Sequence, residues 1–65
     1  FAFSYSCPMK IGDVNQAISE LDITKHGAII EAAKMLRTKG EEAHKNGDHQ
    51  LSEDILAAAL RLLDV

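Results

Sequence analysis

From Cys7 to Val65 the apolar residues recur at steps of three and four, the spacing of one face of a helix, and short polar stretches break that rhythm in two places. Cys7, Ile11, Val14, Ile18 and Leu21 form the first face. Ser6 can cap this helix, and Pro8 suits a first turn because its missing N–H has no partner to lose there. After Asp22 or Thr24 the pattern resumes with Ile29, Ala33, Leu36, Gly40 and Ala43. Asn46-Gly47-Asp48 ends it again: Gly47 fits the left-handed residue that closes a helix, and Asp48 fits the cap of the next. The pattern predicts one all-α, three-helix domain over 1–65, with an arm at 1–6 and helices at 7–22, 24–46 and 48–64. The first helix is expected to pack on an antiparallel hairpin made by the other two.

The third helix is the most constrained. Its polar residues Gln50, Glu53, Asp54, Arg61 and Asp64 share one narrow side, while Leu51, Ile55, Leu56, Ala58, Ala59, Leu60, Leu62, Leu63 and Val65 wrap roughly 200° of the surface. That is about twice the arc a helix with one neighbour uses, so it must touch both other helices, or one of them and a partner. A chain of 65 residues buries only about 60% of its unfolded surface. Its single Cys excludes an internal disulfide, which leaves an efficient core or association to stabilise it.

All three aromatic residues, Phe1, Phe3 and Tyr5, lie in the first five positions. They alternate as in a strand, yet no other segment could pair with one. They are expected to cover surplus apolar surface of the third helix, in the same molecule or in another. The partner-binding residues expected on this basis are Phe1, Phe3, Tyr5, Leu56, Leu60 and Leu63, and the partner is another protein or a second copy in a homo-oligomer. Nucleic acid is not an expected partner: seven Lys and Arg are scattered among ten acidic residues, for a net charge of -3. Membrane insertion is not expected either, since no apolar run approaches the ~20 residues that span a bilayer. Small residues two apart in Ala2-Phe3-Ser4 and Ser4-Tyr5-Ser6 are compatible with a signal-peptidase site, so a periplasmic or secreted location is expected, with the cytoplasm as the alternative.

From about Ala33 onward, Leu36, Gly40, Ala43, the Asn46-Gly47-Asp48 turn, Ser52 and Ala59-Leu60 resemble one tetratricopeptide repeat, the helical hairpin of many protein-binding scaffolds. The resemblance implies a close helix contact through small residues, with Gly40 facing Ala59, and His49 standing where the family usually has Tyr. The stretch LRTKGEEAHKNGDHQLSE is also similar to one in small exported proteobacterial helical proteins with a Cys-Pro near the mature N-terminus, a likeness that carries no function with it.

The residues able to carry chemistry are few. Cys7 and Met9 are soft ligands suited to copper(I), but two positions apart in a helix point about 200° from each other, so they could share an ion only if the segment were extended around Pro8. His44 and His49 flank the Asn46-Gly47 turn and could converge on zinc or copper with Asp48, or simply pack at the turn. His26 is 18 residues from His44, ~27 Å along a helix axis, and cannot join them. No cofactor is expected beyond such an ion. Catalysis is not expected: no His lies near Cys7 in sequence, no Gly-rich phosphate loop occurs, and Glu41-Glu42 and Glu53-Asp54 lie on polar helix faces. The reading is a small protein-interaction module or accessory subunit, working through an apolar helix face and the aromatic arm. The alternative is a periplasmic copper-binding or carrier protein using Cys7 and Met9.

Overall fold

The computed structural model describes residues 7–65, with side chains from Pro8 onward; the aromatic arm expected at 1–6 lies outside them. Three helices follow one another: α1 (Cys7–Glu20), α2 (Ile23–Lys45) and α3 (His49–Leu62). The domain is all-α, as the periodicity predicts. Each helix ends one or two residues short of its expected bound, α2 begins one residue early and α3 one late, and at the two junctions the polar residues explain why.

At the first junction, Leu21 N donates to Ile18 O at 3.3 Å, which tightens the last turn of α1 and ends it. Asp22 then sits with extended backbone (φ -79°, ψ 112°), and its carboxylate accepts from both the amide of Thr24 (2.9 Å) and its hydroxyl (2.7 Å). A carboxylate in this place satisfies an amide that the first turn of a helix leaves without an intrahelical partner. The first turn of α2 is offset from the remainder by a kink at His26, whose φ of -125° and ψ of 28° fall outside the helical region.

The second junction is tighter. Gly47 has φ +83°, a conformation open to glycine without steric cost, and the chain closes on itself through Gly47 N to His44 O (3.1 Å) and Asp48 N to Ala43 O (2.9 Å). This pair of bonds is the Schellman closure, which satisfies two carbonyls at the end of α2. Asp48 at once opens α3, its carboxylate accepting from Leu51 N at 3.3 Å.

So short a turn forces α2 and α3 to run antiparallel, and they form the closest pair in the molecule. At their contact Ser52, fully buried, donates its hydroxyl to Gly40 O at 2.8 Å. A Cβ placed on Gly40 would come within 2.8 Å of Leu56 Cδ2 and 2.9 Å of Leu56 Cγ. The close approach expected at Gly40 is therefore present, but its partners are Ser52 and Leu56 rather than Ala59. Seven residues separate Ser52 from Ala59, about 10 Å of axial rise, so Ala59 is level with Ala33, seven residues before Gly40.

Val14, Ala33, Leu56, Ala59 and Leu63 form the centre of the core, with Ile11, Ala17, Ile18, Leu21, Ile29, Leu36 and Leu60 packed around it. Polar contacts fix α1 over the hairpin: Lys10 Nζ meets Glu53 Oε2 of α3 at 2.8 Å, and Arg37 Nη1 of α2 donates to Asn15 Oδ1 at 2.7 Å. Two of the residues expected to face a partner are thereby enclosed: Leu56 is 0% and Leu63 5% exposed, because they lie in the core that Val14 of α1 and Ala33 and Gly40 of α2 close. Leu60 is half-buried against the same core.

Candidate functional site

The surface of α3 that remains open is set by which residues its neighbours take. Counting ~100° per residue from Leu56, Glu53 lies ~60° to one side, where it meets α1, and Ser52 ~40° to the other, where it meets α2. Leu51, Ile55, Ala58 and Leu62 lie ~100–160° round, beyond Ser52 and on the side of the helix away from α1. Leu51 is 47% exposed, Ala58 is exposed, and Ile55 and Leu62 are half-buried. Their spacing of four, three and four is that of a coiled-coil seam, in which positions a and d of successive heptads line one edge. Asp54 and Arg61 border this seam on its solvent side, both exposed. Asp54 Oδ1 accepts from Gln50 Nε2 at 3.1 Å.

On α2 the corresponding flank carries Met35, 68% exposed and ~160° round the helix from Arg37, the residue that reaches α1. Glu31–Lys34 and Lys39–Glu42, each at 3.9 Å, stand to either side of Met35 along the helix. These are exposed pairs three residues apart, of a kind that contributes a few tenths of a kcal/mol each.

The metal candidates are placed as follows. Met9 is 69% exposed on the first turn of α1. Because the helix already includes Cys7, the extended backbone around Pro8 that a shared Cys7–Met9 ion requires is not adopted. His44 and His49 do converge: their ring centroids are 5.1 Å apart with planes at 66°, an edge-to-face contact across the turn. Both are half-buried, and His44 Nδ1 is enclosed without a hydrogen-bond partner. Asp48, the third ligand the spacing suggests, instead accepts from the Leu51 amide. Among the described residues no group of three or more His, Cys, Asp or Glu is arranged to hold a metal ion. Of the expected partner-binding residues, Phe1, Phe3 and Tyr5 lie outside the described residues.

Leu51, Ile55, Ala58 and Leu62, together with Met35, are thus apolar residues left exposed or half-buried on the hairpin, where Leu56 and Leu63 are enclosed. The signal of the four α3 residues in the sequence is their four-three-four spacing. No helix among the described residues is long and apolar enough to cross a membrane. No family model, curated protein or solved structure matches the chain.

Proposed function

We propose that this chain is a small helical interaction module in which α1 and the α2–α3 hairpin close a core, while the far edge of the hairpin binds another protein or a second copy. The observation that carries this reading is the apolar seam of α3 on the side away from α1, with Leu51 47% exposed. Burying a Leu or Ile side chain fully is worth about 1.5–3 kcal/mol, so a row of half-covered ones has a partner-sized gain still to realise. The resemblance of the hairpin to a tetratricopeptide repeat supports the same reading, since such hairpins present helix surfaces to proteins. Phe1, Phe3 and Tyr5 supply further apolar area to the same task.

The test is site-specific photo-crosslinking in cells, with a photoreactive side chain at Leu51 and a control at Ser19, which is exposed on α1. Adducts of defined mass should form from position 51 and not from 19. Equal yields from both positions, or none from 51, would sink the proposal. Removing residues 1–5 should weaken the adduct or lower the melting temperature. A truncated chain identical to the full one in both respects would take the arm out of the function.

A further inference from the structure

The same seam is complementary to itself, and we infer that the partner is a second copy of this chain, docked through α3 about a two-fold axis. This inference rests on the module reading and names its partner.

The argument is one of register. Setting α3 antiparallel to its copy, with the axis between residues 56 and 57, places Leu51 of one copy against Leu62 of the other and Ile55 against Ala58. Each layer then pairs an a position with a d position, the arrangement by which antiparallel helices interlock. The large Ile meets the small Ala, so the layers fill without collision. A two-fold axis perpendicular to both helices keeps each flank of the seam on its own side, so the flank bearing Asp54 and Arg61 meets the same flank of the copy. In this register Asp54 of one copy is only about 3 Å of axial rise from Arg61 of the other, and the symmetry makes the pair twice. Helical side chains lean toward the N-terminus of their own helix, which brings the two charged ends nearer still. Asp54 spends one contact on Gln50 Nε2, and a carboxylate has a second oxygen for a guanidinium. Arg61 is exposed and has no ion pair among the described residues.

The hairpin adds to this on α2. Gly40 is level with Ser52, so position 35 or 36 is level with the axis. There stands Met35, 68% exposed and on the flank away from α1. The axis that joins the α3 seams therefore also brings the Met35 side chains of the two copies toward each other, and the four helices α2, α3 and their copies form a bundle with α1 outside it.

Sedimentation equilibrium of the full chain, kept reduced so that Cys7 cannot crosslink, tests the assembly. Interfaces of one four-turn seam are at the small end of stable ones, and a dissociation constant of about 1–100 µM is expected. Ala58→Glu should abolish the dimer with helix content unchanged by circular dichroism. Asp54→Arg and Arg61→Asp should each raise the dissociation constant by roughly tenfold or more, since each replaces two attractions by two repulsions. The double variant Asp54→Arg with Arg61→Asp should restore it, and so should mixing the two single variants. A wild-type chain that stays monomeric to about 300 µM overturns the inference, and so does a dimer indifferent to Ala58→Glu or one that the double exchange fails to rescue. A monomer whose position 51 still crosslinks to a different protein overturns self-pairing alone, whereas a monomer with no adduct at all overturns the module reading as well.

Discussion

Helix α3 carries two seams of the same spacing, one residue out of step, and they meet opposite fates. Ser52, Leu56, Ala59 and Leu63 are 0 to 5% exposed. Leu51, Ile55, Ala58 and Leu62 are half-buried or exposed. By composition the outer seam is the more apolar, so hydrophobicity alone would bury the wrong edge. The inner seam is chosen by size and hydrogen bonding. Ser52 reaches Gly40 O at 2.8 Å, and Leu56 fills the space that Gly40 leaves, so the axes approach closely only on that side. The lesson is that the buried edge of a helix with two apolar edges is the one where a small residue on the facing helix, here Gly40, lets the axes close and a hydroxyl finds a carbonyl, even where the other edge is more apolar.

The largest expected effect comes from breaking the inner seam. Leu56→Ala removes the largest fully buried side chain and leaves a cavity facing Gly40, a loss of about 2–5 kcal/mol. Against the 5–15 kcal/mol that holds a typical domain, this should leave much of a 65-residue chain unfolded at 37 °C. Leu51→Ala, about 140° round the same helix, should cost under about 1 kcal/mol in the dilute monomer, because that side chain is already half in water. Denaturant unfolding at low concentration compares the two directly, and equal losses would erase the distinction between the seams.

Next in size is overfilling the contact. Gly40→Leu should destabilise by about 1–3 kcal/mol, since even its Cβ would lie within 3 Å of Leu56 atoms. Gly40→Ala is milder: the atoms in the way are the outer end of the Leu56 side chain, which can shift, and alanine recovers up to about 1 kcal/mol of helix propensity. Thermal melts in which the Leu variant matches wild type would remove the close approach from the explanation. Ser52→Ala is smaller again, about 0.5–1.5 kcal/mol for one buried hydrogen bond. Gly40 O lies inside α2 and keeps its intrahelical donor, so no carbonyl is left orphaned.

These comparisons also show which features a reader of the sequence can recover. The junctions were legible because their chemistry is local: Asp22, Gly47 and Asp48 each act on amides or carbonyls within five residues, and each is found capping or closing where its side chain or φ suits. The kink at His26 was not, since neither Lys25-His26-Gly27 nor its spacing marks a break. Small residues alone do not fix an axial offset; the length of the Asn46–Asp48 turn does, and it sets Gly40 against Ser52 and Leu56 where the spacing of small residues suggests Ala59. The burial of Leu56 and Leu63 is hidden from the sequence for a related reason. The ~200° apolar arc is visible in one dimension, but which half α1 covers depends on tertiary contacts such as Lys10–Glu53. The convergence of His44 and His49 was visible as a possibility, because a closed turn brings its two flanks together. That their rings pack edge to face, with Asp48 committed to a cap, required the side-chain positions.

The smallest expected effect separates the two junctions by pH. Asp22 is held below the ordinary aspartate pKa, first by the hydrogen bond from the Thr24 hydroxyl, then by that from the Thr24 amide, with the nearby His26 charge as a lesser cause. A carboxyl whose folded pKa lies below its unfolded one binds fewer protons when folded, so its contribution is complete above the unfolded value and is lost as pH falls through the folded one. The first turn of α2 should therefore weaken on the acid side, below about pH 4, and be indifferent to changes around neutrality. Asp22→Asn supplies an acceptor of the same shape that caps about as well and does not titrate. The wild type should melt slightly above the variant at pH 7, and the gap should close as pH falls below the ordinary aspartate range and the wild type loses its charge, the variant following the shallower acid limb. Acid limbs that superimpose over the whole range would show that the charge on Asp22 adds nothing to its shape as a cap.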